Sequence, residues 1–539
     1  MSIGYDFVVI GSGFGGSVAA MRLAQKGYRV AVLEAGKRFR AEDFAKSNWD
    51  AFRYFWAPRL RCFGIQNITL LKGVMVLHGS GVGGGSLVYA NTLMQPSEAV
   101  FNDPAWSQAI AWGRELGPHY ETARRMLGVT QNPSLFEGDE ALRRVSRRMG
   151  AEDSFRATEV GVYFGTPGQT VPDPYFRGAG PARTGCRLCG GCMVGCRFGA
   201  KNTLDKNYLH FAERWGTRIF PETKATRIVP VEGGYEIETR STTSWLGRRG
   251  PRFRATRVIV AAGVLGTVEL LLRNRDVHRT LPNLSPRLGE HVRTNGESLL
   301  GATSFDAHRD LSRGIAIGSE FKPNAITKIQ AVRYPSGSGA LRALGVPLTP
   351  DGGFLSRPLK MLWRFLVRLP QMLKLWMIRD WARSTIILLV MQSVDEHLRL
   401  RLGRSLLRRA LFGLEGAPTE RPVPSYLPLA QRAAEILSEE IAGEAQNVIS
   451  EVLLRTPATA HILGGCCIGG SPDTGVIDEH QQVFGYEGLY VCDGSVVPGN
   501  LAVNPSLTIC ALAERFAQHF EDAGSLSAEA RAEREIHFT

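Results

Sequence analysis

Between Tyr5 and Gly36 the chain reads YDFVVIGSGFGGSVAAMRLAQKGYRVAVLEAG, an order of features that few folds admit. The apolar run Phe7 to Ile10 has the composition of a buried parallel strand, and Gly11, Gly13 and Gly16 then fall on the three glycines of G-x-G-x-x-G. In that pattern the first glycine permits a tight turn, the second lets backbone approach a pyrophosphate, and the third lets the next helix pack closely on the strand. Gly15 lies inside the same turn. The helix N-terminus, with its unpaired amides, is then aimed at the phosphates. A second strand, Arg29 to Leu33, ends in Glu34, whose carboxylate can accept from both hydroxyls of an unphosphorylated ribose. FAD or NAD is therefore expected over NADP, in a doubly wound α/β domain.

With 539 residues, 44% of them hydrophobic, the chain is long enough for more than one domain. Two later strand-turn-helix patterns read as further parts of the cofactor domain: 255–272, with Ala261, Ala262 and Gly263 at its turn, and 487–518, with a loop opening on Asp493 and Gly494. The cofactor domain is thus expected to be discontinuous, over 1–59, 204–290 and 456–524. Residues 60–203 and 291–455 are expected to build a substrate domain, in which TKIQAVRY (327–334) and TIILLVMQSV (385–394) read as strands. Residues 525–539 are polar and are expected to form an exposed tail.

The net charge of +13 is concentrated. From Leu359 to Arg409 there are eleven Lys or Arg against three acids. The first part, LKMLWRFLVRLPQMLKLWMIRDW, suits an amphipathic helix broken at Pro370 and lying on an anionic bilayer surface. Charges interrupt it too often for a membrane span. The competing reading is a surface helix whose apolar side covers the substrate domain. No nucleic-acid-binding motif accompanies the charge, so no nucleic-acid partner is expected. The first strand opens within a few residues of Met1, so no secretory signal is expected; the cytoplasm is, with peripheral contact at the inner face of the membrane. Nine cysteines then read as thiols or metal ligands rather than a disulfide framework.

Four of them, Cys186, Cys189, Cys192 and Cys196, stand as C-x2-C-x2-C-x3-C, the spacing of bacterial ferredoxins. A [4Fe–4S] cluster is the leading expectation, with structural zinc or free redox-active thiols as rivals. Arg197 follows Cys196 where ferredoxins carry proline, and no second motif exists. The fourth ligand is therefore open between Cys196 and a remote thiol such as Cys62, Cys466 or Cys467. A cluster beside a flavin would pass electrons singly to a quinone or carrier protein.

Four blocks together resemble the glucose-methanol-choline (GMC) flavoprotein oxidoreductases, and within them the bacterial cholesterol-oxidase-like branch. They are IGSGFGGSVAAMRLAQKG, HGSGVGGGSLVYANTL at 78–93, AAGVLGTVELL, and HILGGCCIGG followed by LYVCDGSVVPGNLAVNPSLTICALAER. The resemblance implies FAD, a doubly wound cofactor domain, and a substrate domain whose antiparallel sheet roofs the isoalloxazine. In the second block Gly79, Gly81, Gly83, Gly84 and Gly85 remove side chains where backbone must pass a flat ring, and Ser86 and Asn91 extend this cradle. His78 stands just before it, in the region where some members attach FAD through a histidine, within a different local pattern. Asp493 matches the acid that binds the ribityl region.

Oxidising an alcohol requires the hydroxyl proton to leave while hydride passes to flavin N5, so a proton-accepting group must face the ring. The resemblance places His461 and Asn504 there, with Pro505 beside them. Imidazole suits the task because its ordinary pKa lies near neutral pH, and Asn504, never a base, can donate to the substrate oxygen or cap the following helix. Steroid oxidases of the group carry a glutamate that moves a proton during double-bond isomerisation, and the corresponding strand here carries Gln330. The expected function is oxidation of a bulky hydrophobic alcohol, sterol-like or long-chain. The alternatives are a flavin and iron–sulfur electron-transfer enzyme acting on another substrate, or an oxygen-using cholesterol-type oxidase with a structural metal site.

Overall fold

Phe7, Val8, Val9 and Ile10 are fully or almost fully buried in the first strand, Ile3–Ile10. The helix Phe14–Gln25 follows directly, and the strand Val30–Leu33 returns parallel to the first with Phe7 opposite Val30. This computed structural model describes residues 3–106, 110–245, 248–403, 413–417, 419–524 and 526–539. Around the opening unit a seven-stranded mixed sheet grows. Arg218–Phe220 joins Val30–Leu33 in parallel, Phe253–Val260 joins the first strand in parallel, and Leu489–Val491 joins Phe253–Val260 in parallel. The antiparallel pair Thr223–Val231 and Gly234–Ser241 closes the far edge. The helix Phe14–Gln25, all small or apolar on its inner side, packs against Ser506–Gln518 and Tyr208–Arg214.

A second seven-stranded sheet is antiparallel throughout, in the order 345–347, 443–448, 298–304, 385–392, 327–332, 317–321, 156–157. The stretches 327–334 and 385–394 read as strands and form Thr327–Val332 and Thr385–Gln392. Alternation divides the sheet's faces. Ile329, Ala331, Phe321, Leu388 and Val390 meet the helices Glu137–Arg148 and Pro428–Glu440. On the other face Val332, Leu389 and Met391 meet Ala90 and Met193, which belong to the segments leading to Asn91 and the cysteine loop. The sheet therefore faces the glycine cradle with Lys328, Gln330 and Val332. This is the doubly wound domain with an antiparallel second sheet that the sequence led us to expect.

Two expectations change. The chain end is not a free tail: Ile536 and Phe538 pack on the main core, Phe538 meets the Phe176 ring, and Arg534 donates to the Ala24 carbonyl at 2.6 Å. The cationic segment forms two helices, Ser356–Val367 and Leu369–Met377, parted where Pro370 enters the first turn of the second. Its arginines turn inward: Arg357 is buried and donates to the carbonyls of Ser425 and Glu451, Arg364 to that of Leu348, and Arg368 pairs with Glu444. Met372 and Leu375 are buried against the protein, but most of the apolar side faces outward. Leu355 and Met377 are each 72% exposed and Trp363 is 68% exposed. Arg404, Arg408 and Arg409, counted in the cationic segment, lie outside the described residues. Among the described residues no helix is long and apolar enough to cross a membrane.

Candidate active site

Three of the chain's distant blocks meet at the first glycine turn. Gly11 has φ of 108°, a left-handed conformation that a side chain rarely adopts, and a Cβ there would lie 2.2 Å from the Ala261 carbonyl oxygen. A Cβ on Gly15 would stand 1.9 Å from the Cys492 carbonyl oxygen, and one on Gly84 2.6 Å from the Gly13 Cα. The turn at 11–16 is thus pressed between 79–85, 261–263 and 492–493. Gly16 closes on the Gly11 carbonyl, and Gly79, Gly83 and Gly85 line the cradle around a short helical turn, Gly84–Leu87.

Gly13 differs. A Cβ there would meet nothing within 4 Å, so packing does not require glycine and the space beside it is open. Asn91 points the same way: it is 0% exposed, yet neither its amide oxygen nor its amide nitrogen has a partner among the described residues. Buried polar groups are normally paired, and an orphaned amide fits a ligand that completes it. These features fit a dinucleotide lying between the turn and the cradle. Glu34 is buried, with one oxygen accepting from the Ser12 amide and hydroxyl and the other from the Gly36 amide. A carboxylate retains further lone pairs for a ribose. Ser86 is spent on the fold, donating to the Gly83 carbonyl and accepting from Leu204 N–H.

Asp493 joins the later blocks. One of its oxygens accepts from Ser495 N–H and Oγ–H, the other from Gly263 N–H at 2.9 Å and Thr267 Oγ–H at 2.5 Å. Burial pushes its carboxyl up, and the four donated bonds only partly oppose this. The carboxylate ties the end of Leu489–Val491 to the start of the helix Gly263–Asp276, next to Ala262. The Gly494 carbonyl in turn accepts from Gly464 N–H, which brings the HILGG segment alongside.

The reacting pair is assembled there. His461 Nε2 lies 3.3 Å from Asn504 Nδ2, and His461 Nδ1 is hydrogen-bonded to Glu297. Asn504 does not cap the following helix, whose cap position is Pro505. Glu297 is 1% exposed and accepts also from Thr459 Oγ–H and Ala460 N–H, so its carboxylate is fixed and holds the imidazole in place. Asn295 shapes the loop before Asn504: its oxygen accepts from Leu501 N–H and Ala502 N–H, both at 2.9 Å. Sequence reading missed Asn295 and Glu297, although the polar cluster TNGES just before the strand Ser298–Ser304 carries a signal. His78 is bonded to Thr69 across a strand pair, and burial lowers its pKa to about 4.

The four clustered cysteines form no disulfide. They lie close enough to raise one another's pKa: burial, then neighbouring thiols, pushes Cys186 up to about 12 and Cys192 to about 11. No three His, Cys, Asp or Glu side chains among the described residues converge as a metal-ligand group. The expected cluster therefore lacks a ready ligand set among the described residues. Cys186, Cys192 and Cys196 pack instead as small hydrophobes against Val160, Val162, Ala200 and Ile315. Within the motif Leu188 is left-handed and Cys189 forms a backbone bridge to Gly314, features that the spacing does not carry. Of the remote thiols, Cys466 is buried in the main core.

Profiles described as GMC oxidoreductase match residues 181–291 and 399–513, and one described as NAD(P)-binding Rossmann-like domain matches 9–59. The chain is 46% identical to a cholesterol oxidase of Mycobacterium tuberculosis, covering 96% of this chain and 92% of that protein. It is 42% identical to a cholesterol oxidase of Acinetobacter baumannii over 95% and 93% of the two chains. A long-chain-alcohol oxidase of Arabidopsis thaliana is 25% identical, with 94% of this chain and 65% of that one covered. The crystal structure of pyridoxine 4-oxidase from Mesorbium loti shares the fold with a TM-score of 0.61 at 17% identity, covering 96% of this chain and 99% of that one.

Proposed function

Since the chain belongs to the GMC oxidoreductase family, whose members use FAD to oxidise CH–OH groups, we propose that its substrate is a sterol-like secondary alcohol. The observation that carries this is the Glu297–His461–Asn504 constellation facing the antiparallel sheet, joined to a chain 42–46% identical to cholesterol oxidases. Bound FAD supplies the acceptor for the hydride of the carbinol carbon. The protein's own part is to hold the hydroxyl against His461 Nε2, which takes its proton, and to orient the oxygen with the Asn504 amide. Glu297 keeps the ring oriented and favours the cation that forms. Gln330, an amide, cannot itself shuttle a proton for double-bond isomerisation. The test is anaerobic reduction of the enzyme-bound flavin by cholesterol and by a long-chain primary alcohol. Cholesterol is expected to reduce it faster, and the reverse order overturns the sterol assignment in favour of the long-chain reading.

The source of such an alcohol is proposed to be a bilayer. Support comes from the outward face of the helices Ser356–Val367 and Leu369–Met377, where Leu359, Leu362, Trp363, Leu366 and Trp376 are exposed together. Lys360, Lys374 and Arg379 remain exposed on this segment, and residues 352–379 contain no acid, which complements an anionic surface; tryptophans suit the interface. Replacing Trp363 and Leu366 together with glutamate should weaken co-sedimentation with phosphatidylglycerol vesicles on the order of 10²-fold, from roughly 1.5 kcal/mol lost per large side chain. If the unaltered protein ignores vesicles and is instead a dimer that these substitutions dissociate, the face is a contact between copies of the chain.

A further inference from the structure

Gln330 and Glu320 stand opposite each other on the neighbouring strands Thr327–Val332 and Ile317–Phe321, and both are 0% exposed. Gln330 Nε2 donates to Glu320 Oε2 at 2.9 Å and to Asn504 Oδ1 at 3.0 Å. The Gln330 amide oxygen has no partner among the described residues, which is a poor arrangement for a pair kept only to hold a sheet together. Glu320 also meets Lys328 Nζ at 3.3 Å and the Arg156 guanidinium at 2.8 Å. Burial pushes its carboxyl up, but Lys328, the Gln330 bond and Arg156 outweigh burial and hold it below the usual range.

An ionised carboxylate can only accept, and this has a directional consequence. Gln330 must turn its NH₂ toward Glu320, so its second N–H is the one that reaches Asn504. Asn504 must then present its oxygen to Gln330 and its NH₂ to His461 Nε2. A nitrogen that accepts from an amide carries no proton in the neutral ring, so the proton sits on Nδ1, facing Glu297.

We propose that Glu320 and Gln330 are positioning residues that fix the amide orientation of Asn504 and thereby keep His461 Nε2 unprotonated, its lone pair held by the Asn504 N–H until the alcohol hydroxyl takes that place. The inference rests on alcohol oxidation, not on the sterol assignment, and holds for whichever alcohol reduces the flavin. It also gives Gln330 a role that a proton-shuttling glutamate at the same place would not fill.

Nitrogen-15 NMR of histidine-labelled holoenzyme tests this without any substrate, with the His461 signals identified by their loss in His461→Ala. The unaltered enzyme should show His461 Nε2 unprotonated and Nδ1 protonated. Gln330→Leu removes both donated bonds, and Glu320→Gln keeps the volume but lets the amide chain reverse. Both should give mixed tautomers and slow flavin reduction by cholesterol by about 10²-fold with KM within about twofold, since general-base catalysis contributes on this scale. Glu320→Asp, still an acceptor only, should restore most of the rate. A single, unchanged tautomer together with a rate within twofold of the unaltered enzyme in folded, flavin-loaded variants overturns the proposal. Should Gln330→Leu fail to fold, isosteric Glu320→Gln decides alone. Should cholesterol reduce no form of the enzyme, the sterol assignment fails while the tautomer result still stands.

Discussion

Replacing His461 with alanine should leave the protein folded and flavin-loaded but slow flavin reduction by the alcohol roughly 10²–10⁴-fold, the contribution expected of a positioned acid–base group. The imidazole touches the surroundings chiefly through Glu297 and Asn504, and Glu297 keeps bonds from Thr459 Oγ–H and Ala460 N–H after the ring is gone. The fold around the site is therefore retained. Anaerobic single-turnover mixing separates this effect from changes in oxygen reactivity. Reduction at the unaltered rate would make His461 structural and leave the proton to Asn504's neighbours. Glu297→Gln keeps a hydrogen-bonding group but removes the acceptor-only carboxylate, and it should cause a smaller loss than removing the ring.

Gly13→Val should abolish FAD binding while the chain still folds. Beyond its chain neighbours no atom lies within 4 Å of the Cβ that would be added, so the branched side chain grows into the open space beside the turn rather than into backbone. That space is where a pyrophosphate must meet bare backbone. Gly15→Val provides the contrast. Its Cβ would fall 1.9 Å from the Cys492 carbonyl oxygen, so it should disrupt the packing of the turn and yield little folded protein. Visible flavin absorbance per chain, read beside thermal unfolding, distinguishes the two outcomes. Full flavin occupancy in folded Gly13→Val would end the assignment of this turn to the cofactor.

Much of the cofactor half was legible because its signals are local. Gly11, Gly13, Gly15 and Gly16 stand within one turn, and the strand before them is continuous and apolar. The strands at 327–332 and 385–392 were legible for the same reason: composition and alternation within a few residues fix a strand and its faces. His461 and Asn504 were named through a family resemblance, and the structure puts them 3.3 Å apart. What faces them was not legible. Glu297 lies 164 residues from His461, and Gln330 lies 174 residues from Asn504. Nothing near either partner in the sequence announces the other.

The same distinction separates the expectations that changed. The segment 356–377 is amphipathic by pattern, but the pattern does not say which side meets the protein. Carbonyls of Leu348, Ser425 and Glu451 and the Glu444 carboxylate drew the arginines inward and left the tryptophans outside. The cysteine spacing is that of a cluster, but no metal-ligand group forms among the described residues, and the bridge from Cys189 to Gly314 and the packing of Cys192 on the cluster that holds Ala316 join segments far apart in sequence. By itself the sequence determined the doubly wound unit, its glycine turn and the identity of the polar groups available for chemistry, because these follow from neighbours along the chain. Only the tertiary structure decided which carboxylate holds His461, which amide orients Asn504 and which face of the helices Ser356–Val367 and Leu369–Met377 is free, because those depend on strand register and on the packing of segments far apart in sequence.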